Sequence, residues 1–258
     1  MVSSLLVVDV GNTNTVLGLW EGRKLSADWR LATRRDATAD EIGMLLTGLL
    51  AASKPAVSRA IVATVVPSLQ FPWKTAFRKY LKLDATFVEP GIRTGMPILY
   101  DNPQEVGADR IVNAVAAFEK YGGPCIVVDF GTATTFDVVN AAGEYAGGVI
   151  TPGVMISAEA LFSRAARLSR VEIRRPSTVI GKTTTASIQS GLYFGYLGLV
   201  DGLIERIAAE MESTPKVVAT GGLAELLGRA SAKIDAVDPH LTLEGLRILD
   251  ERNRPGRR

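Results

Sequence analysis

Residues 5–8 are four consecutive apolar side chains that run into Asp9; after Val10 and Gly11 come Asn12, Thr13, Asn14 and Thr15, then Val16 and Leu17. The pattern predicts a buried strand, a tight polar turn and a second strand. A glycine in such a turn lets backbone and ligand approach closely, because no Cβ intervenes. Amide and hydroxyl side chains, together with the N–H groups of the turn, are suited to ring an anionic phosphate. A carboxylate at the strand end, here Asp9, can hold Mg²⁺ directly or through water. The pattern returns 120 positions later, where residues 125–138 read CIVVDFGTATTFDV, with Asp129, Gly131 and Thr132 in the corresponding places. Two such hairpins predict a duplicated unit closing on one nucleotide.

The remaining periodicities complete an α/β chain. A third strand is expected over residues 26–31, after the Gly22 turn. Thr38 and Glu41 have capping-box spacing ahead of Ile42, Leu45, Leu46, Leu49 and Leu50, the apolar stripe of a helix. A short buried strand over 60–64, a helix opened by Pro67 and Ser68 with Trp73, Phe77, Tyr80 and Leu81 inward, and a strand over 86–88 follow. This β-β-β-α-β-α-β order implies a mixed sheet with helices packed over it. Residues 89–109 form a long connection rich in proline and glycine, the kind of loop that carries function. It leads into a helix with Ile111, Val115 and Phe118 that stops at Gly122-Gly123. The domain boundary is expected there, giving domains 1–121 and 122–258.

After the second hairpin, a strand is expected over 145–150, and Thr151-Pro-Gly-Val opens a helix with Ile156, Ala160 and Leu161. A stretch of basic and hydroxyl residues, 164–185, leads into a long helix through Met211, with Ile188, Leu192, Leu199, Leu203 and Ile207 on its apolar side. Gly191, Gly195, Gly198 and Gly202 interrupt that helix, each at a cost of about 1 kcal/mol relative to alanine. Their spacing points to close approach of another backbone, as in helix packing across a dimer. A strand over 217–220 reaches Gly221-Gly222-Leu223, which starts another helix, and Leu243, Leu246 and Leu249 give the last helix its buried edge.

Composition narrows the class. A chain of 258 residues, 47% hydrophobic and 22% charged, has room for one large or two small domains with a real core. The 29 basic and 27 acidic residues nearly cancel, without the broad basic face of a nucleic-acid binder. Only the last seven residues, with four arginines, are locally basic, and they read as a solvated end. The single Cys125 excludes an intrachain disulfide, suits a reducing compartment, and at a strand start is a core residue. Asp9 breaks the first apolar run with no basic segment before it, so no signal peptide is expected. No stretch reaches the ~18 apolar residues of a membrane helix. The chain is expected to be cytoplasmic, with no membrane or nucleic-acid partner.

Three absences restrict the chemistry. His240 is the sole histidine, after Asp238-Pro239, and reads as a loop residue, so a histidine-cysteine metal cluster is excluded. No G-x-G-x-x-G follows the first strand. Residues 176–183 end in Gly-Lys-Thr, yet Pro176 stands where a P-loop has its first glycine. What remains is the pair of hairpins plus Ala219-Thr-Gly-Gly222, which together resemble the acetate and sugar kinase, hexokinase and actin superfamily. That resemblance implies two ribonuclease-H-like domains, each a mixed sheet flanked by helices and each giving a phosphate hairpin, with the Gly221-Gly222 pair against adenosine.

The family resemblance is closer still. Asp9-Val-Gly-Asn-Thr-Asn14, Gly107-Ala-Asp-Arg110, Asp129-Phe-Gly-Thr-Ala133, Gly147-Gly-Val-Ile-Thr-Pro-Gly153 and Gln189-Ser-Gly191 occur in the order seen in type III pantothenate kinases, from residue 5 to about residue 253. The resemblance implies an ATP- and Mg²⁺-dependent kinase that makes 4′-phosphopantothenate, the first step toward coenzyme A, and a homodimer. Asp9, Val10, Gly11, Asn12, Thr13, Asn14, Thr15 and Val16 then correspond to the ATP phosphate loop, with Asp9 near Mg²⁺, and Thr132 to a second phosphate contact. Asp129 corresponds to the ligand of a monovalent cation, K⁺ or NH₄⁺. Tyr100, Gly107, Ala108, Asp109, Arg110 and Thr184 match the pantothenate-binding positions, Arg110 being able to pair with the substrate carboxylate. Asp109 corresponds to the general base, although an aspartate just before a helix is also a common N-cap. The family often has Gly-Lys-Asn-Thr where this chain has Gly181-Lys-Thr183-Thr184, so Thr183 and Thr184 compete for one role. Two other readings use the same scaffold: a non-catalytic nucleotide-binding regulator, and a kinase of another small hydroxylated acid.

Overall fold

A computed structural model describes residues 4–51, 56–164 and 170–254. The first hairpin forms where the apolar pattern places it. Strand β1 (Ser4–Val10) pairs antiparallel with β2 (Asn14–Glu21), and β2 with β3 (Lys24–Ala32). On its other side β1 runs parallel to β4 (Val57–Thr64), and β5 (Thr86–Phe87) completes the sheet order β3-β2-β1-β4-β5. Buried on both faces, β1 reads as a continuous apolar run rather than an alternation.

One face of this sheet packs Leu6, Val8, Leu17 and Leu19 against Ile42, Leu46 and Leu50 of α1 (Ala39–Ala51) and Leu69 and Trp73 of α2 (Pro67–Ala76). The expected capping box is present: the Thr38 N–H donates to the Glu41 carboxylate at 2.8 Å, and the Glu41 N–H to Thr38 Oγ1 at 3.3 Å. The other face takes α7 (Leu241–Arg252), whose Leu243, Leu246 and Leu249 are buried. Burying a leucine contributes about 1.5–3 kcal/mol. A Cβ built on Gly245 would lie 2.2 Å from the Val112 carbonyl oxygen, so α7 crosses α3 (Ala108–Tyr121) at a distance only glycine allows. The Arg247 guanidinium lies over Trp20, 5.5 Å from the ring centre, and pairs with Glu244 and Glu251 at 2.7 Å.

The chain accordingly divides into two compact units: Met1–Gly95 with Asn102–Ala116 and Thr242–Arg258, and Met96–Asp101 with Ala117–Leu241. This grouping differs from a single cut at Gly122, because the leucine edge of α7 is complementary to the first sheet. The arginines at the end of α7 are also tied down rather than solvated. Arg252 donates to the Thr94 carbonyl and Arg254 pairs with Asp250 at 3.3 Å. Residues 255–258 of the basic end lie outside the described residues.

The second unit repeats the topology. Strand β6 (Cys125–Phe130) pairs antiparallel with β7 (Ala133–Val139) and parallel with β9 (Lys216–Gly221), and β8 (Tyr145–Pro152) and β10 (Ala236–Val237) flank them in the order β10-β9-β6-β7-β8. Over it lie α4 (Val154–Arg164), α5 (Thr184–Glu210) and the short α6 (Ala224–Leu227). The stripe expected on α5 is rotated. Leu192, Tyr193, Tyr196, Val200, Ile204 and Ile207 are buried, whereas Ile188, Leu199 and Leu203 are half-buried. Two tyrosines, which the sequence reading did not assign to the core, form its centre with Tyr196 donating to the Pro152 carbonyl at 3.0 Å. Of the basic stretch 164–185, residues 165–169 lie outside the described residues. Cys125 is buried, its thiol pushed up to about 12 by desolvation, and His240 sits in an exposed turn.

Candidate active site

In the first unit, Asp9 stands near the C-terminal end of β1, half-buried, and the chain turns at Gly11, whose N–H donates to the Asn14 carbonyl at 3.0 Å. A Cβ on Gly11 would sit 2.9 Å from that oxygen, which explains the glycine. Asn12, Thr13 and Asn14 are exposed, while Thr15 is buried and shares a hydrogen bond with Thr33 at 2.8 Å. Beside the loop, Val65 follows β4 and donates to the Val10 carbonyl at 3.1 Å. Val65 also borders Gly107, 3.8 Å from where its Cβ would be. The sheet thus brings the Asp9–Val16 loop and the Gly107-Ala108-Asp109-Arg110 segment to one end of its parallel strands.

Asp109 is not the N-cap of α3, because the helix begins at Ala108 and the Ile111 N–H reaches back to the Gly107 carbonyl at 3.2 Å. Its carboxylate instead folds back over Gly107, where a Cβ would lie 2.6 Å from Oδ1, and accepts the Arg110 N–H at 2.8 Å. Desolvation raises its pKa above the ordinary 3.8, against the lowering effects of the Arg110 N–H and guanidinium. A carboxylate held this way is a stronger base than one in water. The Arg110 guanidinium is buried beside it in sequence, on the same first turn.

In the second unit, Asp129 and Gly221 lie side by side near the ends of β6 and β9, with Asp129 opposite Thr220 in register. Gly221 has φ +94°, and a Cβ there would meet Asp129 Oδ1 at 2.4 Å. The Gly222 N–H donates to the Phe130 carbonyl at 3.1 Å, so the glycine pair and the second turn lie at the same end of adjacent strands. Gly153, ahead of α4, supports that turn: its N–H donates to the Thr132 carbonyl at 3.1 Å, and its Cβ would clash with the carbonyls of both Gly131 and Thr132.

Tyr100 is held against β8. Leu99 and Pro97 hydrogen-bond to the Tyr145 backbone at 2.9 and 2.8 Å, and the two tyrosine rings are 6.4 Å apart. The Tyr145 hydroxyl donates to the buried Asp137 at 2.8 Å. Thr183 caps α5 by accepting the Ala186 N–H at 3.1 Å, and Thr184 is exposed in the first turn. Gln189 and Ser190 bind the carbonyls of Glu172 and Val179, which ties the preceding loop to α5. The sequence reading missed Gly153, Tyr145 and Asp137 as supports, and Thr33 and Arg35 as neighbours of the first loop. The β2–β3 register, with Asn14 opposite Ala32, is the signal that points to the last two. A cavity of about 670 Å³ in the second unit, by Asn140, Val149, Ile207 and Met211, contains none of the expected site residues.

Among the described residues no group of three His, Cys, Asp or Glu side chains could hold a metal. Mg²⁺ is commonly held by one or two carboxylates together with substrate phosphates. Asp9, half-buried near the end of β1, is one such oxygen donor. The Asp129 carboxylate, beside Gly221 near the end of β6, is an oxygen donor of the kind a hard cation takes. Among the described residues no helix is long and apolar enough to cross a membrane.

Two five-stranded mixed sheets, each with an antiparallel hairpin and a parallel neighbour, define a fold of the actin and sugar-kinase type. Solved structures share it. The activator of 2-hydroxyisocaproyl-CoA dehydratase from Clostridium difficile, with bound ADPNP, matches with a TM-score of 0.53 at 12% identity, over 96% of this chain and 95% of that one. The inorganic polyphosphate/ATP-glucomannokinase from an Arthrobacter species matches at 0.50 and 13%, over 95% and 97%. At the level of sequence, residues 5–206 match the family model of type III pantothenate kinase. The type III pantothenate kinase of Koribacter versatilis is 56% identical over 98% of this chain and 97% of its own length. The chain belongs to the type III pantothenate kinase family.

Proposed function

We propose that this chain moves the terminal phosphoryl group of ATP to the primary hydroxyl of pantothenate, with Asp109 as the base that takes the hydroxyl proton. The substrates, ATP and pantothenate, follow from the family, as does the place of the reaction in coenzyme A biosynthesis. As the hydroxyl oxygen bonds to the γ-phosphorus, the bond to the bridging oxygen breaks, ADP leaves, and the proton passes to the Asp109 carboxylate. The observation that carries this assignment is the desolvated Asp109 carboxylate, held over Gly107 at the sheet end that also bears the Asp9–Val16 loop. Phosphoryl transfer needs positioning and charge neutralisation more than covalent chemistry. In this reading Asp9, Val10, Gly11, Asn12, Thr13, Asn14, Thr15 and Val16, with Thr132, bind the phosphates, and Gly221 and Gly222 lie by the adenosine. Asp9 would hold Mg²⁺ and Asp129 a monovalent cation; both ions supply positive charge for the phosphates. Tyr100, Gly107, Ala108, Arg110 and Thr184 would bind pantothenate, with Arg110 on its carboxylate. Thr184 is preferred to Thr183, whose hydroxyl is engaged as a cap.

We also propose a homodimer formed by the second unit. Gly191, Gly195 and Gly198 have open space where a Cβ would be, though each weakens the helix. Ile150, Met155, Val179 and Ile180 are exposed in the same unit, which favours an interface. The reducing environment suited to Cys125 and the supply of ATP favour the cytoplasm. The test is ADP release coupled to pantothenate, with K⁺ present and absent. Pantothenate-dependent turnover that rises with K⁺ is expected; turnover indifferent to pantothenate would overturn the reading. Sedimentation at micromolar concentration tests the dimer.

A further inference from the structure

Two adjacent arginines follow β3, and the structure treats them differently. Arg34 is neutralised by Glu41 at 3.2 Å and Asp36 at 3.8 Å. Arg35 has no carboxylate partner among the described residues; its Nη2 donates to Asn12 Oδ1 at 2.9 Å. The same segment is bound to the first loop twice more, through the Thr33 N–H to the Thr13 carbonyl at 2.9 Å and through the Thr15–Thr33 hydroxyl pair at 2.8 Å. A guanidinium has donors only, so the Asn12 atom that faces it must be the carboxamide oxygen. The Asn12 NH₂ group is thereby turned the other way, as a donor. Without Arg35 the carboxamide has two equivalent orientations, one of which would present an oxygen to an anion.

We propose that Arg35 is a positioning residue for nucleotide binding: it locks the Asn12 carboxamide with its NH₂ available to an ATP phosphate, and its unneutralised charge adds to the attraction. The inference rests on the reading of residues 9–16 as the phosphate loop. Arg35 is exposed and its removal disturbs no core, so variants are expected to fold, which thermal unfolding checks.

The experiment compares Asn12→Ala, Arg35→Met, Arg35→Gln and Arg35→Lys by calorimetric titration with ATP and by steady-state kinetics. Charge-assisted hydrogen bonds are the strong ones, so Arg35→Met is expected to raise the ATP Kd about tenfold or more. The pantothenate KM is expected to stay within about twofold, because pantothenate contacts a different segment. Arg35→Gln keeps a donor without the charge and Arg35→Lys keeps the charge without the planar fork, so both are expected to fall between wild type and Arg35→Met. Arg35→Met is also expected to flatten the salt dependence of ATP binding. If Asn12→Ala leaves the ATP Kd unchanged, the phosphate-loop reading itself fails. If Asn12→Ala weakens ATP while Arg35→Met does not, the loop reading stands and the role of Arg35 is overturned. Equal losses in ATP and pantothenate binding would likewise overturn it, since a general distortion would then be the cause.

Discussion

The two hairpins look alike in sequence and are built differently. Both follow a buried strand, carry an aspartate near its end, and have a parallel neighbour on the far side. In the first, Val10 faces Thr15, and the Gly11 N–H closes on the Asn14 carbonyl three residues on. In the second, Phe130 faces Thr134, and the Gly131 N–H closes on the Ala133 carbonyl two residues on. That one residue decides what each turn presents. The longer loop exposes Asn12, Thr13 and Asn14, whereas the tighter one is braced by Gly153 against its carbonyls and leaves Thr132 at its tip. Their surroundings differ too: Asp129 lies where a Cβ on Gly221 would be, while the first unit places a further carboxylate, Asp109, over Gly107 near Val65. Two sheets of the same topology carry similar turns, and local packing makes those turns present different groups.

The largest expected effect falls on the first unit. Asp109→Asn is expected to lower kcat by about 10²–10⁴-fold, the usual worth of a general base, with ATP binding retained. Burial raises the Asp109 pKa, so its charged form is the disfavoured one in the fold. Its contribution to stability is therefore full below the unfolded-state value near 3.8 and is lost as pH rises through the folded value. At neutral pH the Asn variant should melt no lower than wild type, and calorimetry checks this. The same shift sets the pH profile: kcat/KM should decline on the acid side at a pH above 3.8, as the base becomes protonated. An acid limb at or below 3.8 would contradict it.

In the second unit the sensitive position is Gly221. Alanine there would hold a strained φ of +94° and push its Cβ to 2.4 Å from Asp129 Oδ1. A loss of about 1–3 kcal/mol in stability is expected, with activation by K⁺ weakened. If Gly221→Ala melts lower but responds to K⁺ like wild type, Asp129 has no part in binding the cation.

Much of this was legible in the chain. The apolar runs at 5–8 and 125–128, the Thr38–Glu41 cap and the glycine stop at Gly122 are local signals, and each formed where its residues place it. Family motifs supply the proposed site residues, since Asp-x-Gly-Asn and Gly-Ala-Asp-Arg are runs of adjacent positions. Three things were not legible because they depend on contacts distant in sequence. The leucines of α7 predict a buried edge but not which sheet receives it. On α5 a long apolar helix has more than one possible stripe, and Tyr193 and Tyr196 took the inner one. The separate fates of Arg34 and Arg35 depend on which side of the backbone each leaves, relative to Glu41 and Asn12.

The smallest expected effect tests the hairpins against each other. A Cβ on Gly11 would meet the Asn14 carbonyl oxygen at 2.9 Å, and that oxygen is the acceptor that closes the turn. On Gly131 the nearest contacts are 3.3 Å to the Ala133 carbonyl and 3.6 Å to Asp129 Oδ1, which a shift of a few tenths of an ångström relieves. Replacing glycine by alanine also stabilises by about 0.4–1 kcal/mol through the unfolded chain where no strain results. At Gly131 that gain and the small clash nearly cancel, so Gly131→Ala should leave stability within about 0.5 kcal/mol, the range of an ordinary surface change. At Gly11 the clash is with backbone and wins, so Gly11→Ala should lose about 1–2 kcal/mol, within the usual span for a strained site, and raise the KM for ATP. Thermal melts and ATP titrations of the two variants side by side decide it. Equal losses would mean that the extra residue in the first turn makes no mechanical difference, and that the distinction between the hairpins lies in their side chains alone.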